Sequence, residues 1–105
     1  MSLLTETKIY LDITDNDRDN KIVLLLNAGY SSMTKTADVL AVDGFDPTSD
    51  ELQLDALYKT ALFLYVAKEL ETDPDSRAKW EQLYERQATA LAMSSAFGDF
   101  SSVEV

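Results

Sequence analysis

Aspartates at positions 15, 17 and 19 alternate as Asp-x-Asp-x-Asp, the spacing with which the first half of an EF-hand loop offers oxygen ligands to calcium. That loop also needs glycine at its sixth position and a bidentate glutamate at its twelfth. Here those positions hold Asn20 and Leu26. Without the twelfth ligand the cage stays open, so the acids are read as the capped start of a helix. Glu69/Asp73 and Glu81/Glu85 are carboxylate pairs four residues apart. Two oxygens on a solvated helix face hold a divalent ion poorly, and no motif supports a glycosidase-type acid pair. The three glycines are isolated, so no glycine loop cradles phosphate.

Two absences narrow the chemistry further. No cysteine occurs, which removes the thiolate nucleophile, the disulfide scaffold and the cysteine-ligated metal. No histidine occurs either, which removes the commonest general base and transition-metal ligand. The chain is therefore expected to be no enzyme and to take no cofactor and no metal; a hydrolase working with carboxylates alone is the remaining catalytic alternative.

Such residues must be carried by one small domain, since 105 residues leave room for a single core. With 46% hydrophobic residues the chain is expected to be globular rather than disordered. Nineteen acids against nine bases give a net charge of −10, which repels phosphate backbones and argues against a nucleic-acid binder. No basic-then-apolar leader is visible. The most apolar segment, residues 61–67 between Lys59 and Lys68, falls far short of the ~20 residues that span a bilayer. An aqueous, reducing compartment and no membrane are the expectation.

Few breakers and much Leu, Ala, Glu and Gln predict an all-α fold, a small bundle of about four helices. The first is expected at about 3–11, capped by Ser2. The second is expected at about 17–33, with Ile22, Leu25, Leu26 and Met33 buried. Gly29 within it costs up to ~1 kcal/mol against alanine, which points to a close neighbour. Residues 34–47 lose periodicity; Val39 to Val42 fit a short strand or an extended loop, closed by a turn at Asp43-Gly44.

Thr48-Ser49-Asp50-Glu51 has the form of a capping box, which predicts a long central helix over about 48–71. Its apolar residues run almost all round from Ala56 to Ala67, so it is expected to be surrounded by its own domain or by other subunits. Asp73-Pro74 supplies a cap and a first-turn proline for a last helix at about 74–95. That helix carries a stripe including Trp80, Tyr84, Ala88 and Leu91. The tail at 97–105 has apolar residues without helical period. Phe97, Phe100, Val103 and Val105 are its candidate partner-contact residues, expected to order on assembly. Folding back of Phe97 and Phe100 on their own bundle is the alternative.

The order of these pieces resembles a known family. A short helix Leu4-Thr5-Glu6-Thr7-Lys8-Ile9-Tyr10-Leu11, an acidic stretch from Asp12 to Asp19 and the apolar run Ile22-Val23-Leu24-Leu25-Leu26 precede the segment Leu52 to Tyr65. Over roughly residues 3–70 this is similar to the head–tail connector, or head-completion adaptor, proteins of tailed bacteriophages. At the end of the apolar helix, Lys68-Glu69-Leu70-Glu71 departs from that family's pattern.

The resemblance implies a homo-oligomeric ring seated on the phage portal protein and contacting a tail-proximal neck or tail-completion protein. Double-stranded DNA would pass through its channel without specific binding. It implies location at the head–tail neck of the virion, with the host cytoplasm before assembly. An acidic helical interaction or regulatory module that binds a basic partner is the alternative.

Overall fold

The computed structural model describes residues 1–35, 39 and 41–93. Among them the fold is all-α, with α1 at Leu3–Tyr10, α2 at Asp19–Lys35, α3 at Ala56–Leu70 and α4 at Pro74–Ala92. The candidate contacts Phe97, Phe100, Val103 and Val105 lie outside the described residues.

Helix α1 starts where Ser2 Oγ accepts the Thr5 N–H. Leu3 and Thr7, one turn apart, form its buried side. Thr7 is fully enclosed, and its hydroxyl donates to the Leu3 carbonyl at 2.7 Å, which satisfies the one polar group it brings inside. The helix ends in a Schellman turn: Ile13 N–H reaches Lys8 O at 2.8 Å and Asp12 N–H reaches Ile9 O at 3.2 Å. Asp12 adopts a left-handed φ of 57° there, at a position that glycine fills more easily.

Helix α2 begins two residues later than the acidic run suggested. Ile22, Leu26 and Met33 are fully buried, and Leu25 is partly so. Each such burial contributes about 1.5–3 kcal/mol. Gly29 faces α3, where a β-carbon would stand 2.9 Å from Tyr65 Cγ and Cδ1. The neighbour that this glycine required is thus the chain's own third helix.

The capping box at Thr48 does not form. The Thr48 N–H and hydroxyl both go to Asp46 Oδ1, at 3.0 and 2.7 Å, and the Glu51 N–H goes to Ser49 Oγ at 3.1 Å. These are local turns rather than a helix start. From Glu51 to Asp55 exposure alternates, with Leu52 and Leu54 turned toward the core and Glu51, Gln53 and Asp55 outward. That period of two belongs to extended chain. Helix α3 starts instead at Ala56, where Asp55 Oδ1 accepts the Leu57 N–H at 2.8 Å. Its 15 residues make it about 22 Å long, shorter than the sequence implied.

Helix α3 is nonetheless central. It packs most extensively on α4, then on α2, with α1 across its remaining side. Tyr58, Ala61, Leu62, Phe63, Leu64, Val66 and Ala67 are buried. The apolar surface that wraps α3 is therefore covered mostly within one chain, and it carries no argument for neighbouring subunits.

Helix α4 starts as expected, with Asp73 Oδ2 accepting the Ser76 N–H at 3.0 Å and Pro74 in the first turn. It buries Tyr84, Ala88 and Leu91 against α3. No strand occurs among the described residues of the 34–47 connection. Val39 is buried and its N–H bonds Met33 O. The hydroxyl of Tyr30 donates to Val42 O at 3.1 Å and accepts its N–H at 2.9 Å. The Tyr30 ring stacks on Phe45 at 4.0 Å between centroids. The turn at Asp43-Gly44 forms, with Gly44 at φ 68°.

Candidate functional site

The aspartates at 15, 17 and 19 are drawn into local structure. Asp15 Oδ1 accepts the Asp17 N–H at 3.1 Å, and Asp15 Oδ2 lies 3.5 Å from Arg18. The Lys8 ammonium donates to Asn16 Oδ1 at 2.6 Å. It also stands 2.7 Å from Asp19 Oδ1, an ion pair by distance although that oxygen takes no hydrogen bond by angle. The positive charge in this acidic turn comes from Arg18 within it and from Lys8 of α1. Among the described residues no group of three or more His, Cys, Asp or Glu side chains is gathered as a metal site would need, this turn included.

The groups with displaced acidity are tied to packing. A hydrogen bond from the Thr48 hydroxyl, then one from its N–H, holds the exposed Asp46 carboxyl below the usual carboxylate range. The hydrogen bond from Lys68 does the same for Glu69 against a smaller desolvation effect. Burial pushes the hydroxyls of Tyr58 and Tyr84 upward. The Lys68 ammonium lies over the Tyr65 ring at 4.3 Å while pairing with Glu69 at 2.6 Å. This set pins α3 to α4, with Arg77 reaching Glu69 at 3.5 Å.

An exposed apolar patch stands out instead. Leu3 and Thr7 face inward, so Ile9 and Tyr10, on the other side of α1, face solvent at 63% and 47% exposure. Met1 lies beside them, and Phe63 of α3 underlies Tyr10 with ring centroids 4.8 Å apart. Together with Glu6 these residues line a depression of about 270 Å³. Lys59 pairs with Glu6 at 2.9 Å, so the acid at the rim is neutralised and the surface is effectively apolar. Sequence reasoning did not single out this patch. The available signal was that an eight-residue helix carried large apolar side chains on two faces.

The charge is also unevenly spread. Residues 41–55 carry five acids and no lysine or arginine, and Asp50 lies 3.8 Å from the N-terminal ammonium. A surface of this kind favours basic partners and disfavours phosphate. Compared with known proteins, the chain matches no family model, no characterised relative and no solved structure.

Proposed function

We propose that this chain is a non-enzymatic structural protein of a tailed-phage neck, a connector subunit that joins a ring on the portal and extends the DNA channel toward the tail. The observation that carries the proposal is where the exposed apolar patch sits. Ile9 and Tyr10 belong to α1, the same helix whose sequence resembles the opening of the connector family. Exposed apolar surface of this sort is what a subunit contact uses. The net charge of −10 fits a channel wall along which DNA slides without being held.

The test is electron microscopy of the purified protein, alone and added to portal-bearing heads that lack a neck. Rings, free or seated on the portal, are expected. A single copy at the neck, or no attachment at all, rejects the proposal. A second reading, an acidic module that captures a basic partner, is favoured by the acid-rich 41–55 connection. That reading predicts a monomer that stays monomeric in both samples.

A further inference from the structure

Trp80, the chain's only tryptophan, stands half-buried near the start of α4. Two depressions share it and Glu71 as a wall. One, of about 260 Å³, opens toward Leu11, Ile13 and Leu70. The other, of about 350 Å³, opens toward Leu83, which is 43% exposed. Together they make a groove past Trp80 between the turn after α1 and the turn between α3 and α4, apolar on the Leu83 side and mixed in character on the Leu11 side.

Those two turns set its charge. Residues 12–18 and 71–76 carry Asp12, Asp15, Asp17, Glu71, Asp73 and Asp75. Within the groove's own lining Asp12 and Glu71 are matched by Arg18, 3.5 Å from Asp15, and Lys79, so the excess of acid comes from Asp15, Asp17, Asp73 and Asp75 on the flanking turns. We propose that the groove docks a basic amphipathic segment of another protein. One large apolar side chain would seat against Trp80, and flanking lysines or arginines would lie over the two acidic turns. A rigid, partly exposed tryptophan is the residue type that most often anchors an interface. The surrounding acids select the sign of the partner and speed its approach. The site shares no lining residue with the α1 patch, so it does not rest on ring formation.

Because Trp80 is the sole tryptophan, its fluorescence in the full chain reads occupancy directly. Three synthetic peptides of equal length serve as probes: leucine with lysine, serine with lysine, and leucine with glutamate. A saturable blue shift is expected with leucine–lysine alone, weakening as salt rises. Leu83→Ser and Glu71→Lys should each weaken it by about tenfold, a change of ~1.4 kcal/mol. Leu83→Ser, at an exposed position, decides the matter alone if Glu71→Lys fails to fold. An equal shift with serine–lysine, any saturable shift with leucine–glutamate, or undiminished binding by a folded Leu83→Ser variant overturns the proposal. So does a concentration-dependent shift without peptide, which assigns the groove to a second copy. Emission already blue in the free chain and unmoved by every peptide assigns it to the chain itself, and overturns the proposal too.

Discussion

Gly29 of α2 lies against the near end of the Tyr65 side chain, so close that a β-carbon there would meet Tyr65 Cγ and Cδ1 at 2.9 Å and Cβ at 3.2 Å. These are the atoms next to the backbone of α3, and they cannot swing away as a flexible tip can. Tyr65 is further held edge-on to Tyr84 at 5.3 Å and beneath the Lys68 ammonium. The approach of α2 to α3 is therefore set by the missing side chain.

Gly29→Ala should accordingly destabilise the fold. Alanine gains up to ~1 kcal/mol in helix propensity, but overpacking costs about 1–3 kcal/mol. The expected net loss is about 1 kcal/mol, or a Tm lower by roughly 4–8 °C. A double-mutant cycle checks the cause. In a Tyr65→Ala background the clash is gone, so Gly29→Ala should become neutral or stabilising by thermal melts. A loss of equal size in both backgrounds would falsify the steric account.

Asp12 offers the opposite case. Its φ of 57° closes the Schellman turn after α1, and a side chain in that region costs about 1–2 kcal/mol, somewhat less for aspartate. Asp12→Gly should raise stability by up to about 1 kcal/mol and Asp12→Val should lower it. Urea denaturation at unchanged m-value is the measurement. Asp12→Gly also removes one acid from the Trp80 groove, so its peptide binding should weaken while its fold strengthens.

Helix identity was written plainly in some residues and hidden in others. Asp73-Pro74 specified both the cap and the first turn of α4, since each acts on its own local backbone. Gly29 announced a close contact because nothing within its helix explains a glycine. Thr48 misled because a capping box needs a helix behind it, and Leu52 and Leu54 instead alternate toward the core. The clasp of Tyr30 on Val42, twelve residues away, has no sequence signature at all. The Ile9–Tyr10 patch was partly legible: large apolar side chains on two faces of a short helix leave one face over, but which one depends on where α3 lies. The Trp80 groove was half visible: its stripe position was apparent, but not the turns that wall it.

Stability should fall at both ends of the pH scale, for separate reasons. Glu69 and Asp46 have carboxyls held below their ordinary values by Lys68 and Thr48. A lowered folded pKa gives stability that is present above the unfolded value, near 4.5 and 3.8 respectively, and is lost as pH falls through the folded one. Tyr84 has its hydroxyl raised above 10.0 chiefly by burial. That contribution is full below 10.0 and is lost as pH rises through the folded value. Chemical denaturation across pH 3–11 should show both losses. Glu69→Gln should flatten the acid limb, and Tyr84→Phe should lessen the alkaline one without removing it, because burial raises the Tyr58 hydroxyl as well. An acid limb equally steep in Glu69→Gln would rule out the Lys68–Glu69 linkage.

The patch on α1 separates assembly from folding most cleanly. Ile9 is 63% exposed, so Ile9→Asp removes little buried surface and should change stability by no more than about 0.5 kcal/mol. Any specific subunit contact through the patch would instead have to bury a charge against apolar surface, which costs several kcal/mol. Tyr10→Ser is a harsher companion, because it also uncovers Phe63, which packs under the Tyr10 ring. Thermal melts should therefore leave Ile9→Asp indistinguishable from the parent chain and show a modest loss for Tyr10→Ser. Ring particles on portal-bearing heads should disappear for both. Leu83→Ser, in the Trp80 groove and outside the patch, should keep its rings while losing the basic peptide. Normal rings from a folded Ile9→Asp variant would move the subunit contact away from α1.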